Sequence, residues 1–163
     1  MTLLIGELTE HQAKQICGWQ YFGEYDVYNL PPWNEMVNTN WGLADEYKRK
    51  NEFKSVSLNG VFIGFFRLQC RENKLYLGLG LAPEYCGKGY GSELIKIVKN
   101  HARNYFPKNN LYLDVRKFNI RAIKSYLKSG FRIEGEYVKN GVKFVVMKCD
   151  LLGGYFESSV SGS

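Results

Sequence analysis

The sequence has few of the residues that metal sites and redox motifs require. It contains two histidines and four cysteines, and Cys17, Cys70, Cys86 and Cys149 are too far apart to form a CxxC pair. Zinc sites and dithiol motifs need clustered cysteine and histidine side chains. We therefore expect no metal, and we expect reduced thiols, as in a cytoplasmic protein.

Long apolar runs are also missing. No segment approaches the roughly 20 apolar residues that a membrane-spanning helix needs, and the first residues lack the basic-then-apolar order of a secretory signal. We expect a cytoplasmic protein with no membrane partner, either a monomer or a homodimer. The 163 residues, 45% hydrophobic and 23% charged, have the composition of one globular domain. We place that domain at residues 1–152 and expect residues 153–163, rich in Gly and Ser, to be a flexible tail or a cloning remnant.

Positive charge is in excess but is not concentrated. The chain has 22 basic and 16 acidic residues, and its densest basic group is Lys48-Arg49-Lys50. Charge alone fits a nucleic acid, an acidic surface or a polyanionic cofactor, and no nucleic-acid motif accompanies it. We expect no nucleic-acid partner. The alternative, a basic nucleic-acid-binding protein, would show salt-dependent affinity for DNA or RNA.

Strand and helix patterns run through the whole chain. Thr9 and Gln12 have the spacing of a capping box, Asn59-Gly60 and Asn140-Gly141 favour tight hairpin turns, and Asn119 can cap a helix. The patterns predict strands at 2–8, 53–58, 61–70, 74–82, 111–115, 131–138 and 142–150, and helices at 10–18, 34–50, from 92 onward, and after 119. This order indicates one mixed sheet with helices on both faces.

A glycine loop separates the fourth predicted strand from the helix that follows. It reads Cys86-Gly87-Lys88-Gly89-Tyr90-Gly91. Glycines between a strand and a helix let main-chain amides approach an anion, and the helix dipole and Lys88 add attraction for a pyrophosphate. A plain strand-to-helix turn is the rival interpretation. The spacing fits neither a Walker loop nor a dinucleotide fingerprint.

Two linked segments resemble the GNAT superfamily of acyl-CoA-dependent N-acetyltransferases. The family pattern Arg/Gln-x-x-Gly-x-Gly/Ala matches residues 86–91 except at Cys86, and residues 119–131 are similar to Asn-x-x-Ala-x-x-x-Tyr-x-x-x-Gly-Phe. The resemblance covers roughly residues 53–150. It implies a single α/β domain with a mixed, mostly antiparallel sheet of about seven strands and about four helices. In the family the Arg or Gln helps to shape the phosphate loop, so a thiol at Cys86 either weakens cofactor affinity or leaves that task to Lys88 and main-chain amides.

The resemblance also implies acetyl-CoA as cofactor, CoA as product, and direct attack of an amine on the thioester. The main-chain amide of Leu79 would stabilise the oxyanion, Leu81 would align the pantetheine arm, and Tyr126 would protonate the departing thiolate. Asn119 would bond the pantetheine or stabilise the loop beside it, with N-capping of its helix as the rival role, and both roles can coexist. The implied cofactor-binding residues are Leu79, Leu81, Cys86, Gly87, Lys88, Gly89, Tyr90, Gly91, Ser92, Asn119 and Tyr126. Packing on its helix is the rival role for Tyr126.

The sequence defines the residues that would bind the amine substrate and accept its proton less clearly. Many family members have a Glu on the strand before the loop, whereas residues 75–81 contain no acid. Glu24 and Asp26 are candidate proton acceptors, with surface solvation as the rival interpretation. Tyr25, Tyr28 and Trp33, with other aromatics of the loop at residues 19–33, would line an acceptor pocket or pack in the core. Such a pocket suits a cationic amine, such as a peptide N-terminus, a polyamine or an aminoglycoside. A CoA-binding sensor with little chemistry is the alternative function.

Overall fold

The computed structural model of the protein describes residues 2–151, so the predicted tail at 153–163 lies outside the described residues. The strands are β1 (Leu3–Glu7), β2 (Phe53–Leu58), β3 (Val61–Arg71), β4 (Lys74–Leu81), β5 (Leu111–Arg116), β6 (Arg132–Lys139) and β7 (Val142–Cys149). The α-helices are α1 (Glu10–Cys17), α2 (Trp33–Asn38), α3 (Glu46–Glu52), α4 (Tyr90–Tyr105) and α5 (Ile120–Lys128). Short 3₁₀ helices occupy Gly23–Tyr28, Gly42–Ala44 and Pro83–Tyr85.

The seven strands form one sheet in the order β1-β2-β3-β4-β5-β7-β6. The β1–β2, β2–β3, β5–β7 and β6–β7 pairs are antiparallel, and β4 and β5 are parallel. A parallel pair needs a crossover connection, and α4 lies between these two strands in the sequence. The predicted fold class, a mixed and mostly antiparallel sheet of seven strands with helices, is confirmed.

Contacts divide the described residues into two compact units. The N-terminal unit contains residues 2–67 and Leu79–Tyr90, and the C-terminal unit contains Leu68–Gly78 and residues 91–151. Strands β3 and β4 each contribute residues to both units. The predicted boundary of a single domain at residue 152 stays a prediction.

The core of the N-terminal unit lies under its helices. Its buried members come from α1, α2, the segments around them and the start of β2. The capping box is present, because the Thr9 side chain accepts a hydrogen bond from the Gln12 amide and the Gln12 side chain accepts one from the Thr9 amide. The buried cluster is Leu8, Ala13, Ile16, Met36, Leu43 and Phe53.

The single helix predicted at 34–50 is wrong. Instead, α2 ends at Asn38, a 3₁₀ turn follows, and α3 begins at Glu46. Asn40 has a positive φ of 59°, which stops α-helical propagation, and Asp45 accepts a hydrogen bond from the Lys48 amide as the N-cap of a new helix. The break directs Met36 and Leu43 separately into the core.

The C-terminal unit has α4 as its main apolar helix. Leu94, Ile95, Val98 and Ala102 are buried at helical spacing along it. Alternate residues of β5 and β7 are buried too, which gives their sheet one apolar face. Asn119 caps α5 by accepting a hydrogen bond from the Ala122 amide, as predicted, and Gly130 follows α5 with φ +94°.

Both predicted hairpin turns are confirmed, since Asn59, Gly60, Asn140 and Gly141 all have positive φ angles. None of the helices in residues 2–151 combines the length and apolar character needed to cross a membrane.

Candidate functional site

The glycine loop (residues 86–91) leads from the end of β4 into α4, as the sequence predicted. A 3₁₀ turn at Pro83–Tyr85 follows β4, and α4 begins at Tyr90. Gly87 and Gly89 have φ angles of +72° and +87°, so two left-handed residues shape the loop. Gly87, Lys88 and Gly89 are exposed to solvent. The loop therefore presents its main chain and the Lys88 ammonium to solvent.

The start of α4 differs from the starts of three other helices. Thr9, Asp45 and Asn119 cap α1, α3 and α5 with side-chain oxygens, whereas Gly89, just before α4, has no side chain to do so. A Cβ atom added at Gly89 or Gly91 would meet no neighbouring atom within 4 Å. An anion therefore has room to approach the amides at the positive end of a 16-residue helix.

The end of β4 is held closely against β3. The Ala82 amide donates a 2.8 Å hydrogen bond to the Ile63 carbonyl. A Cβ at Gly80 would lie 2.5 Å from the Phe65 ring, so this position tolerates only glycine without rearrangement. Leu79 and Leu81 on either side are half-buried. The two residues predicted to act through their main chain thus lie on a closely packed strand end.

Tyr21 joins this strand end from the aromatic loop (residues 19–33). Its hydroxyl donates a 2.5 Å hydrogen bond to the Leu81 carbonyl. The Cys86 thiol lies 3.8 Å from the same oxygen and 3.6 Å from the Ala82 carbonyl oxygen. Burial raises the pKa of the Tyr21 phenol, and the neighbouring Cys86 and Glu84 raise it further. The sequence did not distinguish Tyr21 from the other tyrosines of the loop.

The candidate acceptor residues lie in or beside the 3₁₀ helix Gly23–Tyr28. Glu24 and Asp26 are exposed, and Tyr25 and Tyr28 are half-buried. Trp33 instead begins α2, packs against the core cluster of the N-terminal unit, and lies 5.5 Å below the Lys14 ammonium. The contacts of Trp33 are those of a packing residue, whereas the two carboxylates face solvent.

The C-terminal unit carries the remaining predicted residues, Gly91, Ser92, Asn119 and Tyr126. Tyr126 is half-buried on α5, and its ring makes an edge-on contact with Phe131 at a centroid distance of 5.4 Å. The Tyr126 carbonyl accepts a hydrogen bond from the Phe131 amide. These contacts fix the position of the ring on the helix, as both the catalytic role and the packing role require.

A cationic groove of about 590 Å³ also lies in the C-terminal unit. Lys96, Lys99 and Arg103 contribute from one face of α4, and Lys128 contributes from the end of α5. Glu93 is the acidic residue of its lining and lies 3.8 Å from Lys96. This groove was not predicted from the sequence, although the spacing of the three α4 cations places them on one helix face.

The predicted residues thus divide between the two units. Leu79, Leu81 and residues 86–90 belong to the N-terminal unit, and Gly91, Ser92, Asn119 and Tyr126 belong to the C-terminal unit. Among the residues that the structure describes, no three His, Cys, Asp or Glu side chains are grouped as a metal site would require.

Residues 14–131 match the acetyltransferase (GNAT) family. The spermine/spermidine N(1)-acetyltransferase of Bacillus subtilis is 29% identical over 106 residues, which is 65% of this chain and 58% of that protein. The spermidine N(1)-acetyltransferase of Escherichia coli is 39% identical over 56 residues, 34% of this chain and 30% of that protein. The matched segment therefore spans less than two thirds of the length of these relatives.

Solved structures show the same fold. A chimera of the spermidine N-acetyltransferase from Vibrio cholerae superposes with a TM-score of 0.73 at 20% identity, covering 96% of this chain and 99% of that chain. A GNAT-family acetyltransferase from Bacillus anthracis superposes with a TM-score of 0.63 at 17% identity, covering 93% and 96%.

Proposed function

Because the chain belongs to the acetyltransferase (GNAT) family, we propose that it transfers the acetyl group of acetyl-CoA to a primary amine and releases CoA. The observation that carries the proposal is the glycine loop. Its two left-handed glycines lead into an α4 whose preceding residue, Gly89, cannot supply a side-chain cap. Such a helix start suits a pyrophosphate, which accepts hydrogen bonds from main-chain amides and is attracted by the helix dipole.

The residues at the loop fit a phosphate-bearing cosubstrate. Added Cβ atoms at Gly89 and Gly91 would project into open space, so phosphate oxygens have access to the main chain. Lys88 adds a positive charge from an exposed position. Glu93, in the first turn of α4, is the opposing charge near the helix start.

Each step of the transfer needs a particular group from the chain. The amine attacks the thioester carbonyl carbon, and the Leu79 amide donates a hydrogen bond to the oxygen as negative charge develops on it. When the carbon–sulfur bond breaks, the Tyr126 hydroxyl gives its proton to the sulfur. Asn119 and Leu81 hold the pantetheine arm through polar groups. The amine attacks directly in a ternary complex, so the chain forms no acyl-enzyme.

The acceptor we propose first is a polyamine. The relatives from Bacillus subtilis and Escherichia coli are named as spermine or spermidine acetyltransferases, and Glu24 and Asp26 place two exposed carboxylates on one short helix. Carboxylates attract the several ammonium groups of a polyamine and can accept the proton that the attacking amine loses, directly or through water. Peptide and aminoglycoside amines are the competing acceptors.

The relatives reported above are named as acetyltransferases, which favours transfer over the alternative of a CoA-binding sensor. A cytoplasmic location and a monomeric or homodimeric state stay predictions.

Calorimetric titration of the protein with acetyl-CoA and CoA tests the proposal. We expect binding by the wild type and loss of binding in Gly89→Glu, because the added carboxylate repels the pyrophosphate. Gly60→Glu is the matched control, since Gly60 has a φ of +83° against +87° at Gly89 and equally open surroundings. Both variants place a Glu side chain at a residue with similar positive φ, so a loss of binding confined to Gly89→Glu is specific to the glycine loop.

Candidate amine acceptors are then compared by measuring the release of the CoA thiol from acetyl-CoA. The acceptors are spermidine, a peptide with a free N-terminus and an aminoglycoside. Failure of the wild type to bind either form of the cosubstrate contradicts the proposal. Binding without thiol release from any amine favours the sensor.

A further inference from the structure

Tyr21 forms a hydrogen bond that connects two segments sixty residues apart in the chain. Its hydroxyl donates to the Leu81 carbonyl at 2.5 Å, at the end of the strand that precedes the glycine loop. A tyrosine phenol is protonated near neutral pH, and burial raises the pKa of this one further, so the hydroxyl is a donor. The contact therefore fixes the direction of the Leu81 carbonyl.

Asn29 holds the main chain of Tyr21 on both sides. The Asn29 side-chain oxygen accepts a 2.6 Å hydrogen bond from the Tyr21 amide, and its nitrogen donates a 3.2 Å hydrogen bond to the Tyr21 carbonyl. The same nitrogen lies 3.4 Å from the side-chain oxygen of Gln20. Both main-chain groups of Tyr21 are thus engaged, and the loop that carries Glu24 and Asp26 is closed at its base.

Strand β3 also holds this strand end, through contacts at other residues. Gly64 and Gly80 let β3 and β4 approach so closely that a Cβ at Gly64 would lie 2.7 Å from the Gly80 carbonyl oxygen. This contact and the Ala82–Ile63 hydrogen bond hold the strand from the β3 side. The Leu81 carbonyl oxygen instead accepts a hydrogen bond from the Tyr21 hydroxyl, and the Cys86 thiol lies 3.8 Å from the same oxygen.

Cys86 occupies the position where the family pattern has Arg or Gln. A thiol is a weak hydrogen-bond donor, whereas a phenol is a strong one. We infer that Tyr21 is a positioning residue that fixes the main-chain carbonyl of Leu81 just before the glycine loop, a task for which the Cys86 thiol is too weak a donor. The inference rests on the proposed function, because it assumes that this strand end and loop bind acetyl-CoA.

The test compares Tyr21→Phe with the wild type and with Tyr47→Phe, whose side chain on α3 is 76% exposed. Loss of one hydrogen bond to the strand end should weaken CoA binding about three- to tenfold by calorimetry. The KM for acetyl-CoA should rise by a similar factor while kcat stays within about threefold. Tyr47→Phe should match the wild type in all three quantities.

A second variant separates positioning from general stability. In Tyr21→Phe/Cys86→Gln the glutamine amide can donate to the Leu81 carbonyl, and CoA affinity should return to within about twofold of the wild type. A dissociation constant for Tyr21→Phe within twofold of the wild type overturns the inference, as does an absence of rescue by Cys86→Gln. If the wild type itself does not bind CoA, the proposed function fails and the inference falls with it.

Discussion

The Lys99 ammonium donates a 2.6 Å hydrogen bond to the Ser129 carbonyl, at the C-terminal end of α5. Carbonyls at a helix end lack intrahelical partners and carry the negative end of the helix dipole, so a lysine here gains both a hydrogen bond and a favourable charge interaction. The contact also connects α4 to α5 within the C-terminal unit.

Replacing Lys99 should therefore destabilise the protein. We expect Lys99→Met to lower the free energy of unfolding by about 1–2 kcal/mol, because the methionine keeps most of the apolar stem and loses the charged donor. Urea unfolding followed by circular dichroism measures the change. Lys96→Met is the control on the same helix, since its side chain is 79% exposed. Equal losses in the two variants would show that the Ser129 contact contributes nothing specific.

Cys149 should make stability depend on pH above neutrality. Burial raises the pKa of its thiol, and the charges of Lys99 and Arg103 only partly offset that effect. The unfolded chain therefore loses this proton at a lower pH than the folded protein does. The stabilising contribution is complete below the ordinary thiol pKa of about 8.5 and is lost as pH rises through the higher folded value.

We expect the free energy of unfolding to fall by at most about 1.4 kcal/mol per pH unit from this group above pH 8.5. Urea titrations between pH 7.5 and 10 measure the slope in the wild type and in Cys149→Ser. The serine variant should have the shallower slope, and identical slopes would contradict the assignment to Cys149.

Tyr126 should affect the chemical step more than cofactor binding. In Tyr126→Phe the contact with Phe131 is retained, whereas the proton donor is lost. We expect kcat to fall about 100-fold or more, with the dissociation constant for CoA within about twofold of the wild type. Tyr105→Phe, at an exposed position on α4, is the control. A kcat within threefold of the wild type would identify Tyr126 as a packing residue.

The carboxylates of the aromatic loop should act on acceptor binding. Asp26→Asn and Glu24→Gln should each raise the KM for spermidine about two- to fivefold, as expected for the loss of one exposed charge interaction, and the effect should shrink at high salt. Glu46→Gln, in the first turn of α3, is the control. Steady-state kinetics at two salt concentrations measures the effect. An unchanged KM in both variants would place the acceptor elsewhere.

The comparison with the sequence shows where local patterns suffice. The capping box at Thr9, the Asn119 cap and the two Asn-Gly turns were predicted from a few neighbouring residues and are present. The helix predicted at 34–50 was wrong because a loose apolar pattern concealed the break at Asn40 and the new start at Asp45. The positions predicted for Leu79, Leu81 and Tyr126 came from the family resemblance, and their roles stay predictions.

The sequence by itself determined the caps, the turns, the glycine loop and the helix that follows it. Each of these depends on backbone preferences and hydrogen bonds within about four residues, so the letters are enough. Only the tertiary structure decided that Tyr21 reaches Leu81, that Trp33 packs against the core cluster of the N-terminal unit, and that Lys99 reaches Ser129. Those contacts join residues from 30 to 60 positions apart or depend on which face of an element is buried. Long-range contacts and the choice of buried face both depend on how the whole chain packs, so no short segment of sequence determines them.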